Sequence, residues 1–317
     1  MTDTQNEVFK TPVNKIRLFE HGAPGSQNLK LTRKYYTEDM PDGRVKHIVQ
    51  NITDPDIVPY IPDGIGNSTD RQRIPAVLII PGGAFRRLVY NFEGEDVAKW
   101  LNSMGIAAFV LECRLPSDEH DNAEDVPLID AMRAMRVIRG RAQEFGIDEA
   151  KIGVMGFSAG GFMAALLSTA YESDVYADYK YKDEYDKLSA RPDFAVCSYP
   201  VISIDDCIEA GKRYMSEEQV LERISDNKAK ILHKYNPDKL VRPDMPPVFI
   251  CETDDDRTTL SENSVGFYMA ARKAGVSAEL HIFRTGDHGY GCGDDFAQTG
   301  EWKVLFTKWI KSIGIIS

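Results

Sequence analysis

The chain is predicted to form an α/β fold, a mostly parallel central sheet with helices on both faces. Three observations lead there. Residues 75–80 (Pro-Ala-Val-Leu-Ile-Ile) are apolar without alternation, the pattern of a strand buried on both faces. From that point strand-like and helix-like runs alternate to the end of the chain, as crossover helices between parallel strands require. Residues 152–155 are a short apolar run feeding Gly156-Phe157-Ser158-Ala159-Gly160, a tight strand-to-helix turn. A G-x-S-x-G turn holds its serine in a strained backbone conformation. Small neighbours let strand and helix approach closely enough to push the hydroxyl outward.

The elements follow in order. Residues 1–43 are polar and turn-rich and are expected to form an N-terminal surface segment, ahead of one domain over 44–317. Residues 45–52 and 57–61 are β-prone and separated by Thr53-Asp54-Pro55-Asp56, which suggests an antiparallel hairpin. A polar loop over 63–73 precedes the buried strand. A helix over 93–104 has acids in its first turn and Gly105 behind it. Next come a strand over 106–111 and a helix over 127–141, whose Leu128, Met132, Met135 and Ile138 share one face. After the turn at Ser158, residues 159–170 are helix-forming. Strands are expected at 193–199, 247–252 and 278–283, and helices at 261–273, stopped by Gly275, and at 302–313. Residues 171–191 and 204–244, the latter with a helical patch at 216–224, break the alternation. They are expected to be insertions forming a small cap or substrate wall over the carboxyl edge of the sheet.

At 317 residues the core can be large, and 43% apolar with 27% charged residues is ordinary for a globular protein. A net charge of −11 argues against nucleic acid or an anionic membrane as partner. The five cysteines are odd in number and lack C-x-x-C spacing, so no disulfide scaffold is expected. Cys113, Cys197 and Cys251 lie in apolar runs as small hydrophobes. The first residues show neither a basic nor an apolar leader region, and no run is long enough to cross a bilayer. A cytoplasmic location is expected for the chain as it stands, with secretion the alternative if a signal was removed. The oligomeric state is left open.

A serine hydroxyl needs an adjacent base to act as nucleophile at neutral pH. His288, in the flexible Gly286-Asp-His-Gly-Tyr-Gly291 loop beyond the last sheet strand, is the candidate. His21, His47, His120 and His233 have polar surroundings and are expected at the surface, and His281 lies within a strand. The base in turn needs a carboxylate to hold its tautomer. Asp254-Asp255-Asp256 follows a strand between the serine and the histidine, and spacing alone leaves open which aspartate serves. Negative charge on the reacting oxygen requires backbone N–H donors. Pro81-Gly82-Gly83-Ala84-Phe85 after the first buried strand offers Gly83 or Ala84, together with Ala159 after the serine.

With these residues in hand, the chain resembles the α/β-hydrolase superfamily, with its chain order Ser, Asp, His. More narrowly it resembles the branch of acetyl xylan esterases and bifunctional feruloyl/acetyl xylan esterases. Pro81-Gly-Gly-Ala-Phe85, Glu93-Gly-Glu-Asp-Val-Ala98, Arg114-Leu-Pro116, Ile152 to Gly161, Tyr199-Pro-Val-Ile-Ser203, Glu262-Asn-Ser264 and His288-Gly-Tyr-Gly291 carry the likeness. Cys113 stands where that branch commonly has Tyr. Hydrolases of this fold often show Asp, two residues, then Val-Pro. That frame selects Asp256, with Thr259-Leu260 in place of Val-Pro and Asp255 as the fallback. The resemblance implies an α/β-hydrolase fold and serine-dependent hydrolysis of short acyl esters, often acetyl groups on sugars. The substrate would be a small-molecule or oligosaccharide ester, with no metal or organic cofactor. Two other readings are a serine peptidase of the same fold and a non-catalytic binding protein on this scaffold. The stretch before the first buried strand is too short for a gating domain. A binding role would not require Ser158, His288 and the acids together.

Overall fold

In the computed structural model, which describes residues 9, 12–65, 73–216, 218–220, 230–293 and 298–317, eight strands form one sheet. In chain order they are β1 (Ile16–Arg17), β4 (Asp56–Tyr60), β5 (Ile74–Ile80), β7 (Ala107–Glu112), β8 (Ile147–Phe157), β9 (Ala195–Ser198), β10 (Val248–Thr253) and β11 (Ala278–Phe283). The spatial order is β1-β4-β7-β5-β8-β9-β10-β11. β7 through β11 run parallel, while β4 is antiparallel to both of its neighbours. The continuous apolar runs of β5, β7 and β10 are buried almost throughout, as strands covered on both faces must be.

Strand order sets the helix layers. From β5 to β7 the chain steps one way across the sheet, and from β7 to β8 it steps back past β5. Right-handed crossovers therefore put α1 (Asp96–Ser103) and α2 (Val126–Gly140) on opposite faces. The short α3 (Ala142–Phe145) follows α2, and α4 (Ala159–Ala170) packs beside α2. Among the described residues the other α-helices are α5 (Ile204–Tyr214), α6 (Lys230–Lys234), α7 (Ser261–Lys273) and α8 (Trp302–Ser312). Trp100 of α1 meets Trp302 and Phe306 of α8, which closes the other face. Among the described residues, no helix is long and apolar enough to cross a membrane. Cys113, Cys197 and Cys251 are buried free thiols.

The expected hairpin over 45–61 does not form. Its halves join different sheets. β3 (Val45–Gln50) pairs with β2 (Lys34–Asp39) and β6 (Leu88–Val89) in a second, three-stranded sheet, while β4 pairs with β1 and β7. The cause is electrostatic as well as topological. Asp56 of β4 lies opposite Glu112 of β7, an arrangement that repels unless it is countered. Arg33 reaches both carboxylates at 2.5 and 2.6 Å, and Lys15 reaches Glu112 at 2.6 Å. The early segment was expected to wrap the surface. Instead it supplies these cations, two strands, and the buried side chains Leu18, Phe19 and Ala23.

Residues 171–191 depart from expectation too. α4 starts at the carboxyl end of β8 and runs back, so whatever follows it lies at the amino edge. There Asp183 and Asp186 pair with Arg133, and Tyr185 packs on Gly140 near the end of α2. The charged stretch Lys180 to Lys187 therefore cannot wall a site at the carboxyl edge. Residues 204–244 form the crossover from β9 to β10, starting at that edge beside Asn263 and ending near Tyr171. Most of the 216–224 patch, and part of the 63–73 loop, lie outside the described residues.

Candidate active site

Ser158 stands between β8 and α4 with φ 55° and ψ −119°, a conformation that costs a non-glycine residue of order 1–3 kcal/mol. Packing on both sides enforces it. A Cβ on Gly156 would overlap the Gly160 carbonyl, and one on Gly160 would overlap the Ile80 carbonyl. Helix and two strands meet here with no room for a methyl group. Gly160→Ala is expected to destabilise the fold by about 3 kcal/mol, read as a lower denaturant midpoint at unchanged m-value. An unshifted midpoint would contradict so close an approach.

Three distant segments converge on the turn. His288 Nε2 lies 2.8 Å from Ser158 Oγ, and His288 Nδ1 lies 2.6 Å from Asp256 Oδ2. Asp256 is buried at 3% exposure, and its Oδ1 accepts the backbone N–H groups of Thr258 at 2.7 Å and Thr259 at 2.8 Å. The Thr259 hydroxyl donates to Oδ2 at 2.9 Å. The residue replacing Val in the Asp-x-x-Val-Pro frame thus adds a donor to the carboxylate. Burial by itself would raise the Asp256 pKa. The hydrogen bond and charge of His288 and the two backbone donors outweigh it and hold the carboxyl below its usual range.

Asp255 occupies another position. Its Oδ1 accepts the N–H groups of Gly286 and Asp287, both at 2.9 Å, and so pins the loop that carries His288. The Asp254 N–H is bonded to the Phe283 carbonyl. His120, expected at the surface, is buried against Ser26, and burial pushes its pKa down to about 4.

The Pro81–Phe85 loop faces the serine. Gly83, Ala84, Ser158 and His288 line one cavity of about 360 Å³. Ala84 and Phe85 adopt positive φ values of 56° and 59°, which bends the loop sharply. The Gly82 N–H is taken by Glu93 Oε2 at 2.8 Å, so Gly82 is not free to serve an oxyanion. Ala159 is buried at the first turn of α4, where N–H groups have no intrahelical acceptor. Below the loop, Gly83, Phe85, Cys113, Ala159 and Met163 surround a residual space of only about 10 Å³. A larger cavity, about 720 Å³, lies at the amino edge by Arg139 and Tyr185, away from the relay.

Sequence reasoning missed Glu93 and Tyr199 as parts of this site. Tyr199 Oη donates to Glu93 Oε1 at 2.9 Å and accepts the Gly291 N–H at 3.0 Å, while its ring meets His288 edge-on at 5.0 Å. Burial raises the Glu93 pKa, against the pull of His288, Tyr199, Gly82 and Lys46. Glu93 and Tyr199 together tie the Gly82 loop to the histidine loop. An acid eight residues past the Pro81–Phe85 loop, in a helix start that needed no further acid, was the available signal. The far wall of the cavity also went unforeseen, since Met40, Arg44 and Lys46 reach it from the β2–β3 region.

A serine in a nucleophile elbow at the carboxyl edge of this sheet defines an α/β-hydrolase. The BD-FAE family model matches residues 65–270, well over half of the chain, and the chain belongs to that family. It is 31% identical over 240 residues to an acetylxylan esterase of Xylanibacter ruminicola, covering 75% of this chain and 45% of that protein. It is also 31% identical over 227 residues to endo-1,4-beta-xylanase B of Butyrivibrio fibrisolvens, covering 71% and 34% respectively. The chain therefore spans less than half the length of these curated relatives. A solved structure of an acetyl ester-xyloside bifunctional hydrolase from Caldicellulosiruptor lactoaceticus is 37% identical. The match covers 84% of this chain and 91% of that one, with a TM-score of 0.67.

Proposed function

We propose that the protein is a serine esterase that hydrolyses short-chain acyl esters, chiefly acetyl groups on xylo-oligosaccharide-type carbohydrates. The observation carrying this reading is the unbroken hydrogen-bonded chain from Ser158 through His288 to Asp256. Ser158 attacks the ester carbonyl as His288 Nε2 takes its proton. Asp256 keeps the other imidazole proton on Nδ1 and stabilises the imidazolium. The tetrahedral oxyanion is met by N–H donors of Gly83 or Ala84 and of Ala159. His288 then returns the proton to the leaving alcohol, and water activated by the same histidine releases the acid from the acyl-enzyme. The acetylxylan esterase and the acetyl ester-xyloside bifunctional hydrolase among the relatives favour acetylated sugars as substrates.

The test compares rates on acetyl, butyryl and feruloyl esters and on acetylated xylo-oligosaccharides at fixed enzyme. Acetyl esters are expected to exceed butyryl esters by about tenfold or more, since each misplaced methylene costs roughly 1–3 kcal/mol. A preference for aminoacyl amides over acetyl esters would replace the esterase reading with a peptidase. Native protein that forms no Ser158 adduct with a serine-directed phosphonate would point to a binding role.

A further inference from the structure

The cavity at Ser158 has a basic wall in a protein whose net charge is −11. Arg44 from the β2–β3 turn, Lys46 from β3 and Arg87 just before β6 all line it. Two of the three are engaged. Arg44 Nε donates to Asp42 at 2.8 Å and its guanidinium lies over the Phe92 ring, while Arg87 is ion-paired with Glu38. Lys46 is half-buried and has no hydrogen bond or ion pair among the described residues. Among the described residues, the acids on the same cavity are Glu93 and Asp287. Glu93 spends its oxygens on Tyr199 and Gly82, and Asp287 Oδ1 accepts the His288 N–H at 2.9 Å. Lys46 thus lines the same cavity as Ser158 with no hydrogen-bonded or ion-paired acid among the described residues, while its charge acts on Glu93. Such an arrangement costs solvation and repays it when an anion enters.

We infer that Lys46 is a specificity residue that binds a carboxylate on the alcohol part of the ester, making uronic-acid-bearing acetylated oligosaccharides better substrates than neutral ones. This rests on the esterase reading above. The alcohol is the side concerned, because the short acyl group of the proposed reaction carries no carboxylate of its own. A carboxylate seated on an exposed or half-buried ammonium chiefly strengthens encounter and binding, and salt weakens it. The effect therefore belongs in KM rather than kcat.

The test measures kcat/KM on acetylated xylo-oligosaccharides with and without a uronic acid branch, at low and high salt, for the wild type, Lys46→Met and Lys46→Arg. The acidic-to-neutral ratio within each variant is independent of how much of that variant folds. Wild type is expected to favour the acidic oligosaccharide by about fivefold at low salt. The ratio should fall to near one in Lys46→Met and in wild type at high salt, and persist in Lys46→Arg. A wild-type ratio near one, or an unchanged ratio in Lys46→Met, overturns the inference while leaving the esterase reading intact. Inactivity of wild type on both oligosaccharides and on 4-nitrophenyl acetate overturns the esterase reading, and this inference with it.

Discussion

Ser158→Ala is expected to lower kcat by at least about 10⁴-fold while leaving the thermal midpoint close to that of wild type. The first half follows from the chemistry, because among the described residues no other hydroxyl is placed on His288 Nε2. The second half follows from what the hydroxyl does in the fold. The Ser158 backbone is held by its N–H to the Ser198 carbonyl at 3.0 Å and by the glycines on either side, and alanine keeps all of that. His288→Ala should be comparably inactive. The double variant should be little worse than either single one, since members of a relay are not additive. Initial rates on an acetyl ester with calorimetry of the same preparations check both halves. Activity of Ser158→Ala within tenfold of wild type would remove Ser158 as nucleophile.

The strands of the parallel sheet were legible because burial on both faces leaves an unbroken apolar run, as in residues 75–80. Helices bounded by their own punctuation came out at their expected limits. Ser261–Lys273 ends before Gly275, and Ala159–Ala170 begins at the serine turn. Pairing was less legible. Residues 45–50 and 56–60 have the local pattern of a hairpin, and nothing within them reveals that Asp56 is needed beside Glu112, Arg33 and Lys15. The place of residues 171–191 could have been worked out. A helix leaving the carboxyl end of a strand delivers its successor to the opposite edge, away from the serine. In the site, the residues proposed to react stand in marked surroundings: Ser158 among glycines, His288 in a glycine loop, an acid after a strand. Those that hold the loops do not. Glu93 looks like an ordinary helix-start acid and Tyr199 like a core aromatic until folding brings them to Gly82 and Gly291.

Asp256→Asn is expected to lower kcat by about 10⁴-fold, with a much smaller change in KM. The reason lies in how the carboxylate is held. Both backbone donors, from Thr258 and Thr259, address Oδ1. An asparagine must place its carbonyl oxygen there, since an amide NH₂ would face two N–H groups. Its NH₂ then occupies the Oδ2 position, 2.6 Å from His288 Nδ1, and donates to that nitrogen. The imidazole proton is forced onto Nε2, where it can no longer accept the proton of Ser158. Asp255→Asn is the matched control. Its carbonyl oxygen can still accept the Gly286 and Asp287 N–H groups, so activity should stay within a few-fold of wild type. Stability carries an independent signature. Because the folded-state pKa of Asp256 is depressed, its ionised form contributes stability above the unfolded carboxyl pKa of about 4. That contribution is lost as pH falls through the lower folded value. The Asn variant should therefore be less stable than wild type near neutral pH, and the gap should narrow below about pH 4. If Asp255→Asn proves the more damaging of the two, the acid of the relay is Asp255.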